Sequence, residues 1–302
     1  MPFNLITILG PTAVGKTHLA AQLAHRFNGE IISADSRQVY KGMDIGTGKD
    51  INDYTVNGSM IPYHLIDVID PISEFNLFQF NKLFYDAFGK ISSSGKNPFL
   101  VGGTGMYLHS ILKGYDLYEA VADKTRHDEL SNLEISELTK LLAKLNPALH
   151  NTTDLLIRER IIQAIIIAEK KSNNKNIVKP AISSLNIGVK LEREEIKKKI
   201  TARLKLRLNS GMIEEVEKLI NNGISFERLD LFGLEYKFIG KYLKAELNYN
   251  DMFQKLNSAI HNFAKRQMTW FRKMEKEGIV IHWINGAGCN QAEKIILNNF
   301  TF

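Results

Sequence analysis

The stretch Leu5-Ile6-Thr7-Ile8-Leu9-Gly10-Pro11-Thr12-Ala13-Val14-Gly15-Lys16-Thr17 carries more information about architecture than any other in the chain. Its first five residues are apolar or β-branched and read as a buried strand. Ala20, Ala21, Leu23 and Ala24 follow and read as the inner side of a helix. Between strand and helix stands Gly-x-x-x-x-Gly-Lys-Thr, the spacing of a phosphate-binding loop in the context that such a loop requires. The glycines let the backbone curl until several N–H groups point at one anion. The helix N-terminus adds partial positive charge. Gly10, Pro11, Thr12, Ala13, Val14, Gly15, Lys16 and Thr17 are therefore the candidate phosphate site. Lys16 is placed to reach phosphate oxygens, and the Thr17 hydroxyl to ligate a magnesium ion.

An ATP-hydrolysing protein of this kind also needs an apolar strand ending in Asp to hold the magnesium. No good one is evident. The central strand candidate, 98–101, runs into Gly102-Gly103-Thr104-Gly105, and His64-Leu65-Ile66-Asp67 is a poor substitute. This pattern points to a loop that grips a diphosphate for another purpose.

The chain has 302 residues, enough to bury a large core in one or two domains. Lys and Arg number 39 against 33 Asp and Glu, a net charge of +6 that permits a polyanionic partner without requiring one. The single cysteine, Cys289, excludes an internal disulfide and a cysteine-based zinc site. No signal peptide and no apolar segment of membrane-spanning length is apparent, so a reducing cytoplasm and no membrane are expected. No oligomerisation surface is legible, and a monomer is expected.

Residues 1–118 alternate strand and helix signals, with strands at 3–9, 30–33 and 98–101 and helices at 16–27, 77–94 and 105–112. That alternation predicts an α/β fold: a P-loop NTPase-like parallel sheet flanked by helices. Residues 119–183 read as helix almost throughout (123–132, 135–145, 154–170) and form an all-helical insertion domain. The chain returns to the sheet at 182–189. One long charged helix over 192–222 follows, then helices at 233–246 and 249–276 and a last strand at 279–283. The catalytic core is thus 1–118 with 184–302.

Asp35 follows the second strand, so it lies near the phosphate loop, because open α/β sheets bind ligands at the carboxyl ends of their strands. It reads equally as a base and as a turn residue. Thr104 ends another strand and reads slightly better as a helix cap than as a substrate contact. Lys199, Arg203 and Arg207 share one helix face, whose default reading is a solvated surface. In Lys265-Arg266-Gln267-Met268-Thr269-Trp270-Phe271-Arg272, basic and aromatic residues alternate as nucleic-acid binding would use them, but an amphipathic core helix explains the pattern better. His64 reads as structural, with no second ligand at metal spacing.

Together these segments resemble one family over nearly the whole chain, the tRNA dimethylallyltransferases. The resemblance rests on the 10–17 loop, on Asp35-Ser36-Arg37-Gln38-Val39-Tyr40 with its continuation to Lys49, on Tyr63–Asp67, on 101–107 and on 265–272. It implies transfer of a dimethylallyl group from dimethylallyl diphosphate to the exocyclic amine of the adenosine 3′ of the anticodon, with Mg2+ at Thr17. It implies that Lys16 and Arg203 stabilise the leaving diphosphate, that Asp35 takes the amine proton and that Thr104 helps to fix the substrate. It also implies contacts of Asp35, Ser36, Arg37, Gln38, Thr104, Arg126, Arg160, Gln163, Lys265 and Arg266 with the tRNA anticodon stem-loop. Gln163 stands where the family has an Arg. Free adenine nucleotides as acceptors, or a small-molecule kinase activity, are the alternatives.

Overall fold

The computed structural model describes residues 2–117, 124–145, 158–170 and 179–300, with the side chains of Lys124, Arg160 and Lys170 outside that set. The described chain divides into two compact units, 116–180 and the remainder.

The larger unit is built on six parallel strands in the order β5-β2-β6-β1-β7-β8. They are β1 (Leu5–Leu9), β2 (Gly29–Ala34), β5 (Tyr63–His64), β6 (Asn97–Gly102), β7 (Ser184–Lys190) and β8 (His282–Asn285). A small antiparallel hairpin, β3 (Thr55–Val56) and β4 (Ser59–Met60), stands apart. β1 is flanked by β6 (Ile8 beside Val101) and by β7 (Ile8 beside Ile187), and every residue of it is buried. A strand covered on both faces must be apolar throughout, which is why 5–9 carries no polar alternation.

The two faces are filled by alternate residues. Ile6, Ile8, Ile31, Phe99 and Val101 point to one layer, closed by Leu19 and Leu23 of α1 (Lys16–Arg26) and by Ala292 and Ile296 of α12 (Cys289–Asn299). Leu5, Leu9, Ile32 and Leu100 point to the other. There they meet Phe80 and Phe84 of α2 (Leu77–Ser93), Leu108 of α3 (Gly105–Leu112) and Phe271 of α11 (Tyr249–Lys276). α2 begins in a capping box: Asn76 accepts from the Gln79 N–H at 3.0 Å, and the Gln79 side chain accepts from the Asn76 N–H at 2.9 Å.

A helical cluster continues from this core. It comprises α7 (Arg193–Asn209), α8 (Met212–Asn221), α9 (Phe226–Phe232), α10 (Leu234–Leu243) and the first half of α11, packed through Leu204, Val216, Phe232, Tyr236 and Leu256. α11 therefore belongs to both: Leu256 and Ile260 bury in the helical cluster, Phe271 and Met274 against the sheet. The smaller unit holds α4 (Lys124–Ser131), α5 (Ile135–Leu145) and α6 (Arg158–Lys170), closed on Leu130, Leu138, Leu142, Ile161 and Ile165.

Four expectations change. The helix foreseen over 192–222 is two, because Gly211 adopts φ +97° and ends one turn to start the next. The last strand is three residues later than foreseen at its start, because 277–279 are spent closing α11: the Ile279 N–H bonds back to the Met274 carbonyl, and Gly278 takes φ +87°. α9 and α12 were not foreseen. Residues 154–157 of the third insertion helix lie outside the described residues. No helix among the described residues is long and apolar enough to cross a membrane.

Candidate active site

The carboxyl ends of β1, β2 and β6 open into one crevice, where the open-sheet rule places a ligand. The phosphate loop forms its floor. Gly10 lies at φ +155°, and a Cβ there would stand 2.3 Å from the Val189 carbonyl oxygen, so β7 leaves no room for a side chain. Ala13 is left-handed at φ +67°, and Gly15 at φ +85° precedes α1 without any side-chain cap. The first amides of α1 are thus left for an anion. Thr12, Ala13, Gly15, Lys16 and Thr17 line the crevice. Val14 is buried in the sheet core, and the Pro11 carbonyl accepts from Lys16 Nζ at 2.7 Å.

Two cations stand over this floor. Burial, and then the nearby Arg203 guanidinium, pull the Lys16 amine down to about 7, against a smaller opposing pull from Asp35. Burial, and then Arg207, lower the Arg203 guanidinium to about 10. Both shifts have the same leading cause, burial away from water, and in each a neighbouring cation adds to it. Arg203 donates to the Thr12 hydroxyl, and Arg203 and Arg207 both line the crevice. The solvated-face reading of this helix stripe is therefore overturned for these two residues. Only Lys199 points to solvent, beside Glu195. The reason is tertiary, since α7 runs past the loop and turns one flank of its stripe inward.

Asp35 sits on the opposite wall, its Oδ1 accepting from the Arg37 N–H at 3.0 Å. Arg37 is held by Glu235 at 2.8 Å and lies 5.1 Å from the Phe263 ring centroid. Gln38 accepts from the Ser33 hydroxyl at 3.1 Å and donates to the Gly48 carbonyl at 3.1 Å. The crevice so gathers cations, a carboxylate and an amide in one lining. Asp50 and Asp53 line it too, and burial, then Asp50, raises the Asp53 carboxyl above its ordinary value.

The cap reading of Thr104 is corrected: it occupies the N-cap position of α3, but its hydroxyl makes no cap bond. Its oxygen instead accepts from the Ser36 N–H at 3.2 Å, tying the turn after β6 to the loop after β2. Arg126 is held by Glu169 at 2.6 and 3.0 Å and by Glu129 at 2.7 Å within the smaller unit. Gln163 donates to Glu159 at 3.3 Å, and the Arg160 side chain lies outside the described residues. Lys265 and Arg266 are exposed on α11. His64 pairs with Glu30 at 2.7 Å, the structural role expected. Asp67, the poor substitute for a metal-holding acid, is taken by the buried Lys49.

Several site residues carried no signal of their own. Gln267 is buried; its Oε1 accepts from the Thr12 N–H and its Nε2 donates to the Gly103 carbonyl, both at 2.8 Å. It clamps the phosphate loop to the turn after β6. Its polar type on an apolar helix face was the one available hint. Glu235, Asp50 and Asp53 reach the crevice only through folding.

Comparison with known proteins agrees with this geometry. The family model for IPP transferase matches residues 38–274, and that for isopentenyl transferase matches 3–59. A protein of Geotalea daltonii named tRNA dimethylallyltransferase 1 is 53% identical over 98% of this chain and 95% of its own. A tRNA dimethylallyltransferase 2 of Porphyromonas gingivalis is 51% identical over 93% of each. The crystal structure of a tRNA isopentenylpyrophosphate transferase from Bacillus halodurans superposes with a TM-score of 0.68 at 31% identity, covering 98% of this chain and 94% of its own. With a family model matched over most of its length and relatives matched over nearly all of it, this chain belongs to the IPP transferase family.

Proposed function

We propose that the protein transfers a dimethylallyl group from dimethylallyl diphosphate to the exocyclic amine of an adenosine beside the anticodon of tRNA, releasing diphosphate. One observation carries this reading: one crevice is lined both by Lys16 and Arg203 over an anion-binding loop and by Asp35 with Gln38. An allylic diphosphate and the amine it alkylates need such a set of groups together. Its allylic C–O bond breaks, and the electron pair leaves on the diphosphate. The adenine amine forms the new C–N bond, and its proton passes to Asp35. Negative charge grows on the leaving group as the bond lengthens. The loop amides, Lys16 and Arg203 are preorganised for that charge, and each such donor is worth about 10²–10³ in rate.

A magnesium ion fits the donor set. Thr17 offers a hydroxyl, and Asp50 and Asp53 line the same crevice, where burial and then Asp50 raise the Asp53 carboxyl. Among the described residues no cluster of three or more carboxylates or histidines forms a cage. Thr17 and substrate oxygens would hold it, as magnesium prefers. When bound it would add charge stabilisation at the diphosphate.

The acceptor base must leave its stack to reach Asp35. Exposed Lys265 and Arg266 supply phosphate contacts beside the crevice, and the smaller unit is proposed to clasp the anticodon stem. The test mixes purified protein, magnesium and labelled dimethylallyl diphosphate with total tRNA or with AMP. Label in tRNA alone supports the reading. Label in AMP makes the acceptor a free nucleotide, and label in neither refutes prenyl transfer. Asp35→Asn is expected to abolish transfer and leave tRNA binding nearly unchanged.

A further inference from the structure

Three consecutive backbone amides converge on one carboxylate away from the phosphate loop. Glu215, in the first turn of α8, accepts from the N–H groups of Asp44 and Ile45 at 2.7 Å each and of Gly46 at 3.0 Å. The Tyr236 hydroxyl donates to it at 2.7 Å. Residues 43–48 form one helix-like turn, in which the Thr47 hydroxyl donates to the Met43 carbonyl and the Gly48 N–H to the Asp44 carbonyl at 2.9 Å. A turn of this kind leaves its first amides without internal partners and gives that end partial positive charge. Glu215 supplies the cap from 170 residues away.

The turn borders the crevice. Thr47 and Gly48 lie in its wall. The Gly48 carbonyl accepts from Gln38 Nε2, while Gln38 Oε1 accepts from the Ser33 hydroxyl. Those two bonds fix which end of the Gln38 amide is nitrogen. They leave it one N–H and one lone pair. A neighbouring donor and acceptor is also what an adenine edge presents. Gly48 packs closely on Arg207, since a Cβ there would lie 1.8 Å from its Nη2.

We propose that Glu215 is a positioning residue for the acceptor base. It sets the 43–48 turn, and through the Gly48 carbonyl it sets the orientation of the Gln38 amide. It touches no reacting atom. The inference rests on the transfer reaction proposed above.

Glu215→Gln preserves size but removes the charge and puts an NH2 group against either the Asp44 and Ile45 N–H groups or the Gly46 N–H and Tyr236 hydroxyl. We expect kcat/KM for tRNA to fall about tenfold or more, as loss of charge-assisted bonds predicts, while the Kd for inorganic diphosphate stays within about twofold. Amide exchange at 44–46 is expected to accelerate with the rest of α8 unchanged. Glu215→Asp, which keeps the charge, is expected to recover part of the kcat/KM, and it serves as the test variant if Glu215→Gln fails to fold. Rapid exchange at 44–46 with undiminished kcat/KM would overturn the inference. So would parallel loss of tRNA and diphosphate affinity, which marks a purely structural role. A wild-type enzyme that transfers to no acceptor sinks the proposed reaction instead, so the two failures are distinguishable.

Discussion

Lys16 gives the sharpest prediction. Its amine titrates at about 7 in the free protein because burial and Arg203 disfavour its charge. A diphosphate favours that charge, so the amine's pKa rises on binding. Free protein at pH 8 would carry the proton on about one molecule in ten, and binding would take up about 0.9 proton there. Charging the amine first costs about 1.4 kcal/mol at pH 8, so affinity for inorganic diphosphate should be about tenfold weaker than where Lys16 is already protonated. The sign follows from the shift: the cationic contribution is whole below 7 and is lost as pH rises through it. Calorimetric titration between pH 6 and 8.5, in two buffers of different ionisation enthalpy, measures proton uptake directly. Diphosphate changes its own protonation over this range, so the quantity to compare is the difference between wild type and Lys16→Met. Equal uptake by the two proteins would refute the reasoning. A linked expectation concerns stability. A lysine whose folded pKa lies below its unfolded one destabilises the fold at neutral pH, and the penalty fades only as pH climbs toward 10.5. Lys16→Met should therefore melt above wild type at pH 7 while losing transfer activity.

Removing Arg203 as Arg203→Met takes away both the diphosphate donor and the tie to Thr12; steady-state kinetics should show kcat reduced about 10²–10³-fold. Gln267→Ala leaves the Thr12 N–H and the Gly103 carbonyl unpartnered in a buried site, and urea unfolding should register a loss of about 2–4 kcal/mol. Gly10→Ala drives a Cβ into the Val189 carbonyl at a left-handed φ, so thermal melting should show clear destabilisation, about 1–3 kcal/mol, together with weakened diphosphate binding. His109 is buried between Tyr115 and Glu277, and burial lowers its pKa despite the carboxylate. Stability should therefore decline as pH falls below the ordinary histidine value of about 6.5, and His109→Gln should flatten that part of the profile.

Sequence alone determined the parallel sheet and the phosphate loop, and it placed helices where the described residues of the middle segment have them. These are local facts. A strand buried on both faces must be apolar along its length, and a loop that wraps an anion needs glycine at fixed places whatever surrounds it. Asp35 was legible for a related reason, because a residue just past a strand of an open sheet faces the crevice by topology. The break at Gly211 was legible in principle, yet helix periodicity on either side masked it. What needed the tertiary structure was every relation across distance. Arg203 and Arg207 look like a solvated stripe until α7 is laid beside the loop. Thr104 looks like a helix cap until the turn after β2 brings the Ser36 N–H to its oxygen. Gln267 and Glu215 are ordinary polar residues of helices until the backbone amides they satisfy, 255 and 170 residues away, are brought to them. Period and composition record which face of an element is buried, not what that face meets, and the electrostatics of this site is made of such meetings.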